Sequence, residues 1–115
     1  MIKVYGYMKC GTCRKALKWL DARSTSYQFI DITEKPPTRT LLRALLAEYG
    51  LKRLFNTSGG QYRELGIKDK MATMTDAEAV ALLAGNGMLC KRPMVTDGTR
   101  HSVGFKDDEF AAVWG

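Results

Sequence analysis

The 115-residue chain has few of the residues that define several protein classes: it has three cysteines, three prolines and one histidine. A single histidine excludes metal sites built from several histidines. No apolar run approaches the roughly 20 residues of a membrane-spanning helix. With 45% hydrophobic and 26% charged residues, the composition is globular and excludes disordered and collagen-like chains. The length fits one domain, residues 1–115, with enough core to need no disulfides.

The opening of the chain indicates a compartment. Residues 1–7 enter a strand-like alternation at once, without the apolar core and cleavage site of a signal peptide. We therefore expect a reducing cytoplasm. In that compartment closely spaced cysteines are more often catalytic or metal-binding than structural.

The charge balance is basic, with 18 Lys plus Arg against 12 Asp plus Glu and a net charge of +6. The basic residues are scattered and form no dense run, so a solvated cationic surface is the main interpretation, with an anionic substrate left open. We expect no direct nucleic-acid partner, no membrane partner and a monomer.

The first third of the chain predicts strand, helix, strand. Residues 2–7 are β-branched and aromatic, and residues 27–32 alternate in the same way. Between them Ala16, Leu17 and Leu20 form the apolar stripe of a helix that begins at a cysteine motif. Such a crossover makes the two strands parallel.

The rest of the chain predicts helices, then a hairpin, then a helix. Residues 36–87 carry no strand signal, and Thr75 and Glu78 form a capping box at one helix start. The Asp97-Gly98 pair between two short apolar runs indicates a β-hairpin. The predicted class is α/β, in the order βαβ, helices, ββα.

The motif Cys10-Gly11-Thr12-Cys13 lies at the junction of the first strand and first helix, where this spacing indicates a redox pair. The free amides and positive dipole of a helix start favour a thiolate. An unperturbed thiol with a pKa of about 8.5 is only about 3% ionised at pH 7. Further positive charge is expected from Lys9, Arg14 and Lys15.

The two cysteines are predicted to have different roles. Cys10 precedes the helix and should be exposed, whereas Cys13 shares a face with the apolar stripe. We therefore assign Cys10 as the nucleophile and Cys13 as the resolving thiol. Their spacing is compatible with the roughly 5.5 Å Cα separation of a disulfide.

Other interpretations of the cysteines compete with this one. The pair could be structural or incidental. Cys10, Cys13, Cys90 and His101 could form a zinc site. Otherwise Cys90 is predicted to be a core residue, and His101 a surface residue of the hairpin.

The Arg92-Pro93 pair is the second notable feature. Proline at the start of a strand could mark a sheet edge. If the prolyl bond is cis, it would instead form a fixed turn that brings Arg92 towards the cysteines.

Four segments of the sequence together resemble the ArsC/Spx family over essentially the whole chain, most closely its arsenate-reductase-like subgroup. They are residues 9–16, residues 56–59 with 62–66, residues 88–93 and residues 103–105. The resemblance implies an ArsC-like, thioredoxin-like fold. In it residues 1–35 and 88–115 form the core, residues 36–87 form a helical insertion, and Pro93 is cis beside the active cysteine.

The resemblance also implies chemistry. In arsenate reductases of the family, the cysteine matching Cys10 attacks arsenate, three arginines hold the oxyanion, and glutathione or glutaredoxin completes the reduction. Arg92 matches one arginine, but Asn56 and the Val103-Gly104-Phe105 segment stand where the other two are expected. Cys13 stands where those enzymes commonly have serine, which allows an internal disulfide.

We therefore expect a thiol oxidoreductase that reduces a disulfide or an oxidised, anionic substrate, with arsenate as one candidate. Glutathione, glutaredoxin or thioredoxin would be the reductant, glutathione would be a co-substrate, and no metal or organic cofactor is expected. Arg92 would orient an anionic group. The residues expected to line the substrate site are Lys9, Gly11, Thr12, Arg14 and Pro93.

The same motifs suit a second class of protein. Spx-like regulators share the paired cysteines and the Arg-Pro pair, but they bind RNA polymerase and use the disulfide as a redox switch.

Overall fold

The computed structural model describes residues 1–115, which form a four-stranded sheet with seven α-helices. The strands are β1 (Ile2–Gly6), β2 (Tyr27–Asp31), β3 (Met94–Thr96) and β4 (His101–Val103). The helices are α1 (Gly11–Ala22), α2 (Arg39–Tyr49), α3 (Leu51–Leu54), α4 (Gly60–Glu64), α5 (Ile67–Lys70), α6 (Asp76–Gly85) and α7 (Asp107–Trp114), and a 3₁₀ turn (Gly87–Leu89) precedes β3. None of these helices has the length and apolar character that crossing a membrane requires.

The sheet has the strand order β2-β1-β3-β4. β1 pairs in parallel with β2, with Val4 opposite Phe29, as the sequence predicts. β3 is antiparallel to both of its neighbours, with Val95 opposite Val4 on one side and Ser102 on the other. The predicted hairpin at Asp97-Gly98 is therefore confirmed, and β1 is central.

The two faces of the sheet support separate cores because neighbouring side chains of a strand point in opposite directions. Val4 packs with α1 and α7, where the rings of Trp19 and Phe110 meet edge to face at 5.1 Å. Tyr5 packs with the helices that lie between β2 and β3 in the chain. Burial of both apolar sets holds α1 against one face and the middle helices against the other.

Helix α6 begins where the sequence predicts. Thr75 and Glu78 form the capping box of α6, with reciprocal hydrogen bonds of 3.2 and 3.0 Å. One feature was not predicted. Phe55, directly after α3, and Cys90, directly after the 3₁₀ turn, form an isolated antiparallel β-bridge. A single bridge between distant residues leaves no periodic pattern, so the sequence alone carries no strand signal for it.

The 3₁₀ turn lies very close to the end of β2. A Cβ atom at Gly87 would lie 1.8 Å from the carbonyl oxygen of Ile32, a buried residue directly after β2. Only glycine allows this approach, because the obstacle is backbone and cannot rotate away.

We predict that Gly87→Ala lowers the free energy of unfolding by about 3 kcal/mol, since the turn must move away from the sheet. Urea denaturation followed by circular dichroism measures this. Gly85→Ala is the matched control, because nothing lies within 4 Å of a Cβ at Gly85; it should be neutral or slightly stabilising. Equal stabilities for the two variants would contradict the prediction.

Candidate active site

The paired cysteines lie where β1 leads into α1. The chain turns after β1, with the Cys10 amide donating to the Tyr7 carbonyl at 2.9 Å, and the Cys10 carbonyl accepts the first helical hydrogen bond, from Arg14, at 3.1 Å. Cys10 is the N-cap residue of α1, with extended backbone, and is half-buried. Cys13 lies one turn later and is fully buried. The exposure of the two sulfurs follows the predicted order, and both are free thiols.

The end of β1 forms the pocket for the Cys13 sulfur. The Tyr7 amide donates to Cys13 Sγ at 3.4 Å. A Cβ at Gly6 would lie 3.2 Å from that sulfur and 3.2 Å from the Phe29 ring, so glycine leaves the space that Cys13 occupies. Neither Gly6 nor Tyr7 was predicted as a residue of the site. The available signal was a glycine at the end of a strand immediately before the cysteine motif.

The surroundings give the two thiols opposite acidities. Partial burial acts to raise the pKa of Cys10, but the amide and thiol of Cys13, the charge of Arg92 and the Thr12 amide outweigh it, so that pKa lies below its usual range. The Cys10 side chain makes no capping hydrogen bond to α1. The nearby amides lower its pKa by stabilising the thiolate. Burial, together with the charge of Cys10, raises the pKa of Cys13 to about 12.

Arg92 reaches the cysteines from the segment before β3. Its guanidinium lies 5.6 Å from the centre of the Tyr7 ring, and its Nη1 donates to Met88 Sδ at 3.6 Å. The peptide bond between Arg92 and Pro93 is cis, and Pro93 is buried. Met88 and Tyr7 thus orient Arg92, a role that the sequence analysis did not assign to either residue.

The basic residues predicted beside the motif are exposed. Arg14 donates to the Met8 carbonyl at 2.9 Å and so braces the turn, while Lys9 and Lys15 are exposed. Among the predicted cations, Arg92 is the one whose charge lowers the pKa of Cys10. Arg14 and the two lysines are exposed, and solvent screens exposed charges.

The third cysteine lies apart from the pair. Cys90 is fully buried and hydrogen-bonds the Leu83 carbonyl at 3.6 Å, and burial raises its pKa to about 12. It is a core residue, as predicted. His101 lies in β4 of the hairpin, as predicted, and is partly exposed. Its Nδ1 lies 2.8 Å from the hydroxyl of Thr96, its partner across the hairpin.

No three cysteine, histidine or acidic side chains converge in a way that could hold a metal ion. The zinc site considered from the sequence is therefore not assembled.

A sequence profile of the ArsC family matches residues 5–113. The chain belongs to the ArsC family. A Bacillus subtilis (strain 168) relative, the uncharacterized protein YusI, is 50% identical over 112 residues, which cover 96% of this chain and 95% of YusI.

The chain is also similar to a protein of solved structure and to a transcriptional regulator. The crystal structure of "a possible arsenate reductase" from Streptococcus mutans UA159 has a TM-score of 0.87 at 40% identity, covering 96% of this chain and 98% of the other. The global transcriptional regulator Spx of Streptococcus pyogenes serotype M1 is 29% identical over 114 residues, or 97% and 84% of the two chains. The fold is the predicted ArsC-like, thioredoxin-like α/β fold with a helical insertion.

Asn56 and the Val103-Gly104-Phe105 segment stand where the resemblance to arsenate reductases implies two further arginines. The Asn56 side chain accepts a hydrogen bond from the Ser58 hydroxyl at 3.3 Å. Phe105 packs edge to face against Phe110, with the ring centres 5.0 Å apart. Neither side chain is charged, whereas the charge of Arg92 lowers the pKa of Cys10.

We predict that Arg92→Gln raises the pKa of Cys10, because the variant removes a positive charge that favours the thiolate. At pH 7 the thiolate fraction, and with it the rate of alkylation, should fall by about threefold or more. The measurement is a pH titration of thiolate ultraviolet absorbance in a Cys13→Ser background.

The control variants are Arg92→Lys, which keeps the charge, and Arg14→Gln, which removes an exposed one. Both should titrate nearly as the parent does. An unchanged Cys10 titration in Arg92→Gln would show that the first-turn amides alone activate the thiol.

Proposed function

We propose that this protein is a thiol oxidoreductase of the ArsC family that reduces a disulfide or an oxidised, anionic substrate through Cys10 and Cys13. The observation that carries the proposal is the contrast between the thiols. Cys10 is accessible with a lowered pKa, and Cys13 is buried with a pKa raised to about 12. Such a pair separates a reactive nucleophile from a protected resolving thiol.

In the first step, the Cys10 thiolate attacks one sulfur of a substrate disulfide. A mixed disulfide forms, the substrate S–S bond breaks, and the departing sulfur leaves as a thiolate that takes a proton from solvent. Arg92 supports the attacking thiolate and can orient a carboxylate of the substrate by charge-assisted hydrogen bonds.

In the second step, Cys13 loses its proton to solvent and attacks the Cys10 sulfur. The mixed disulfide breaks, the second substrate thiol leaves, and a Cys10–Cys13 disulfide forms. Interaction with Cys10 is one of the causes that raise the pKa of Cys13. Once Cys10 carries a mixed disulfide its negative charge is gone, so Cys13 ionises more readily when it is needed.

Two external thiol groups must then supply two electrons to restore the dithiol, and they are oxidised to a disulfide in turn. Glutathione, glutaredoxin or thioredoxin would supply them in a reducing cytoplasm. Arsenate is a weaker candidate substrate, because Asn56 and Phe105 leave Arg92 without the two further arginines. Each absent cation removes up to about 4 kcal/mol of attraction at 4 Å and an effective dielectric near 20.

We predict that the protein reduces a glutathione mixed disulfide in an assay coupled to NADPH through glutathione reductase. Cys10→Ser should abolish turnover, because it removes the nucleophile. Cys13→Ser should accumulate the Cys10 mixed disulfide, detectable by intact-protein mass spectrometry, because the resolving thiol is absent. Cys90→Ala serves as the thiol control and should retain activity.

Arsenate in the same assay separates the substrates. Faster turnover of arsenate than of the mixed disulfide would contradict the substrate order. Full activity of Cys10→Ser on both would eliminate the thiol mechanism.

A second candidate function is supported by the Spx relative, which aligns with 97% of this chain at 29% identity. In this alternative, formation of the Cys10–Cys13 disulfide switches binding to RNA polymerase.

The test is size-exclusion chromatography of oxidised and reduced protein with purified bacterial RNA polymerase. If the reductase proposal is correct, neither form should co-elute with the polymerase. Co-elution of the oxidised form alone, lost in Cys13→Ser, would favour the regulator.

A further inference from the structure

A basic depression lies beside the segment that carries Arg92. Its volume is about 380 Å³, and it contains four cations and no carboxylate. The lining residues are Lys52, Arg53, Phe55, Thr57, Lys91 and Lys106. We propose that this depression, here called the basic pocket, is a second anion-binding site that takes a phosphate group or paired carboxylates of a small molecule.

The walls of the basic pocket are held together by backbone contacts. Phe55 forms the β-bridge with Cys90, and the Lys91 amide donates to the Leu54 carbonyl at 2.8 Å. The Phe55 side chain is only 1% exposed, so the pocket offers little apolar surface to a ligand. Two segments distant in sequence thus present their cations to one shared space.

The charges of the basic pocket are mostly uncompensated. Arg53 pairs with Glu109 at 3.3 Å and donates to the Val103 carbonyl at 3.4 Å. Lys52, Lys91 and Lys106 form no ion pair; the one other ion pair of the protein is between Arg100 and Asp97. Lysines without counter-charges give this surface a positive potential that attracts anions, and because the lysines are exposed the attraction depends on salt.

The basic pocket is separate from the Arg92 site, although Lys91 and Arg92 are neighbours in the chain. The Lys91 side chain runs towards Gly104, where a Cβ would lie 3.7 Å from its Cε atom. Arg92 instead points to Tyr7 and Met88. An anion held by Lys91 would therefore lie towards Gly104, and one held by Arg92 would lie towards Tyr7 and Met88.

The composition of the pocket selects its ligand class. Three free ammonium groups, one guanidinium and the Thr57 hydroxyl can all donate hydrogen bonds to oxygen atoms. A compact group with two negative charges uses these donors well, whereas an apolar ligand would leave them without partners. Lys106 also lines the neighbouring groove that contains Thr12, which places the pocket on the same side as the start of α1.

The test is a titration with inorganic phosphate, followed by amide chemical shifts in a buffer without other multivalent anions. We expect saturable shifts at Lys52, Thr57, Lys91 and Lys106 that weaken as salt rises. Lys91→Gln and Lys106→Gln should each weaken binding about fivefold or more, because each removes one nearby cation. Lys35→Gln, which changes an exposed lysine outside the pocket, is the matched control and should bind as the parent does.

Two further variants locate the anion and separate this site from the thiol chemistry. Arg92→Gln and Cys10→Ser should leave the phosphate-induced shifts at Lys52 and Lys106 unchanged, because neither substituted residue lines the basic pocket. The basic pocket does not depend on the proposed reaction. If reductase activity is absent but phosphate still binds, only the proposed reductase function is overturned. Binding abolished by Arg92→Gln but not by Lys91→Gln, or no saturable shift at the pocket amides, would overturn the second site.

Oxidised glutathione added to the Cys10→Ser variant distinguishes the sources of the anion. Competition with phosphate would assign the pocket to paired carboxylates. Phosphate binding without competition would assign it to phosphate groups. Either result supports an anion site.

Discussion

The contact between the Cys13 sulfur and the end of β1 is the constraint on which the site depends. Gly6 leaves room for the sulfur and the Tyr7 amide donates to it, so the first turn of α1 is held directly against the central strand. That contact buries Cys13 and leaves Cys10 at the helix start, half-exposed. The opposite shifts in the acidity of the two thiols follow from this one placement.

The second organising feature is the segment between the 3₁₀ turn and β3, because it carries two neighbouring cations, Lys91 and Arg92. The charge of Arg92 lowers the pKa of Cys10, and the side chain of Lys91 runs towards Gly104. The position of the segment is set by the bridge between Phe55 and Cys90, which ties it to the middle helices. One backbone segment thus connects the helical part of the chain to both the thiol site and the basic pocket.

Local chemistry explains which parts of the fold could be predicted. The alternation in β1 and β2, the stripe of α1 and the capping box at Thr75 are short-range patterns, and each appears in the structure. The two short helices α4 and α5 and the single β-bridge have no such pattern, because tertiary contacts rather than periodicity select them. The contact between His101 and Thr96 was not predicted for the same reason, because the two residues meet across a hairpin.

The cysteine spacing, its place at a strand-to-helix junction and the excess of positive charge can all be read from the amino-acid sequence. These are properties of neighbouring residues, and they suffice to indicate a redox pair. Only the tertiary structure decided which cations matter, because distance and burial, not sequence proximity, govern electrostatic interactions. Arg14 lies next to the motif and braces a turn, whereas Arg92 comes from the far end of the chain to lower the pKa of Cys10.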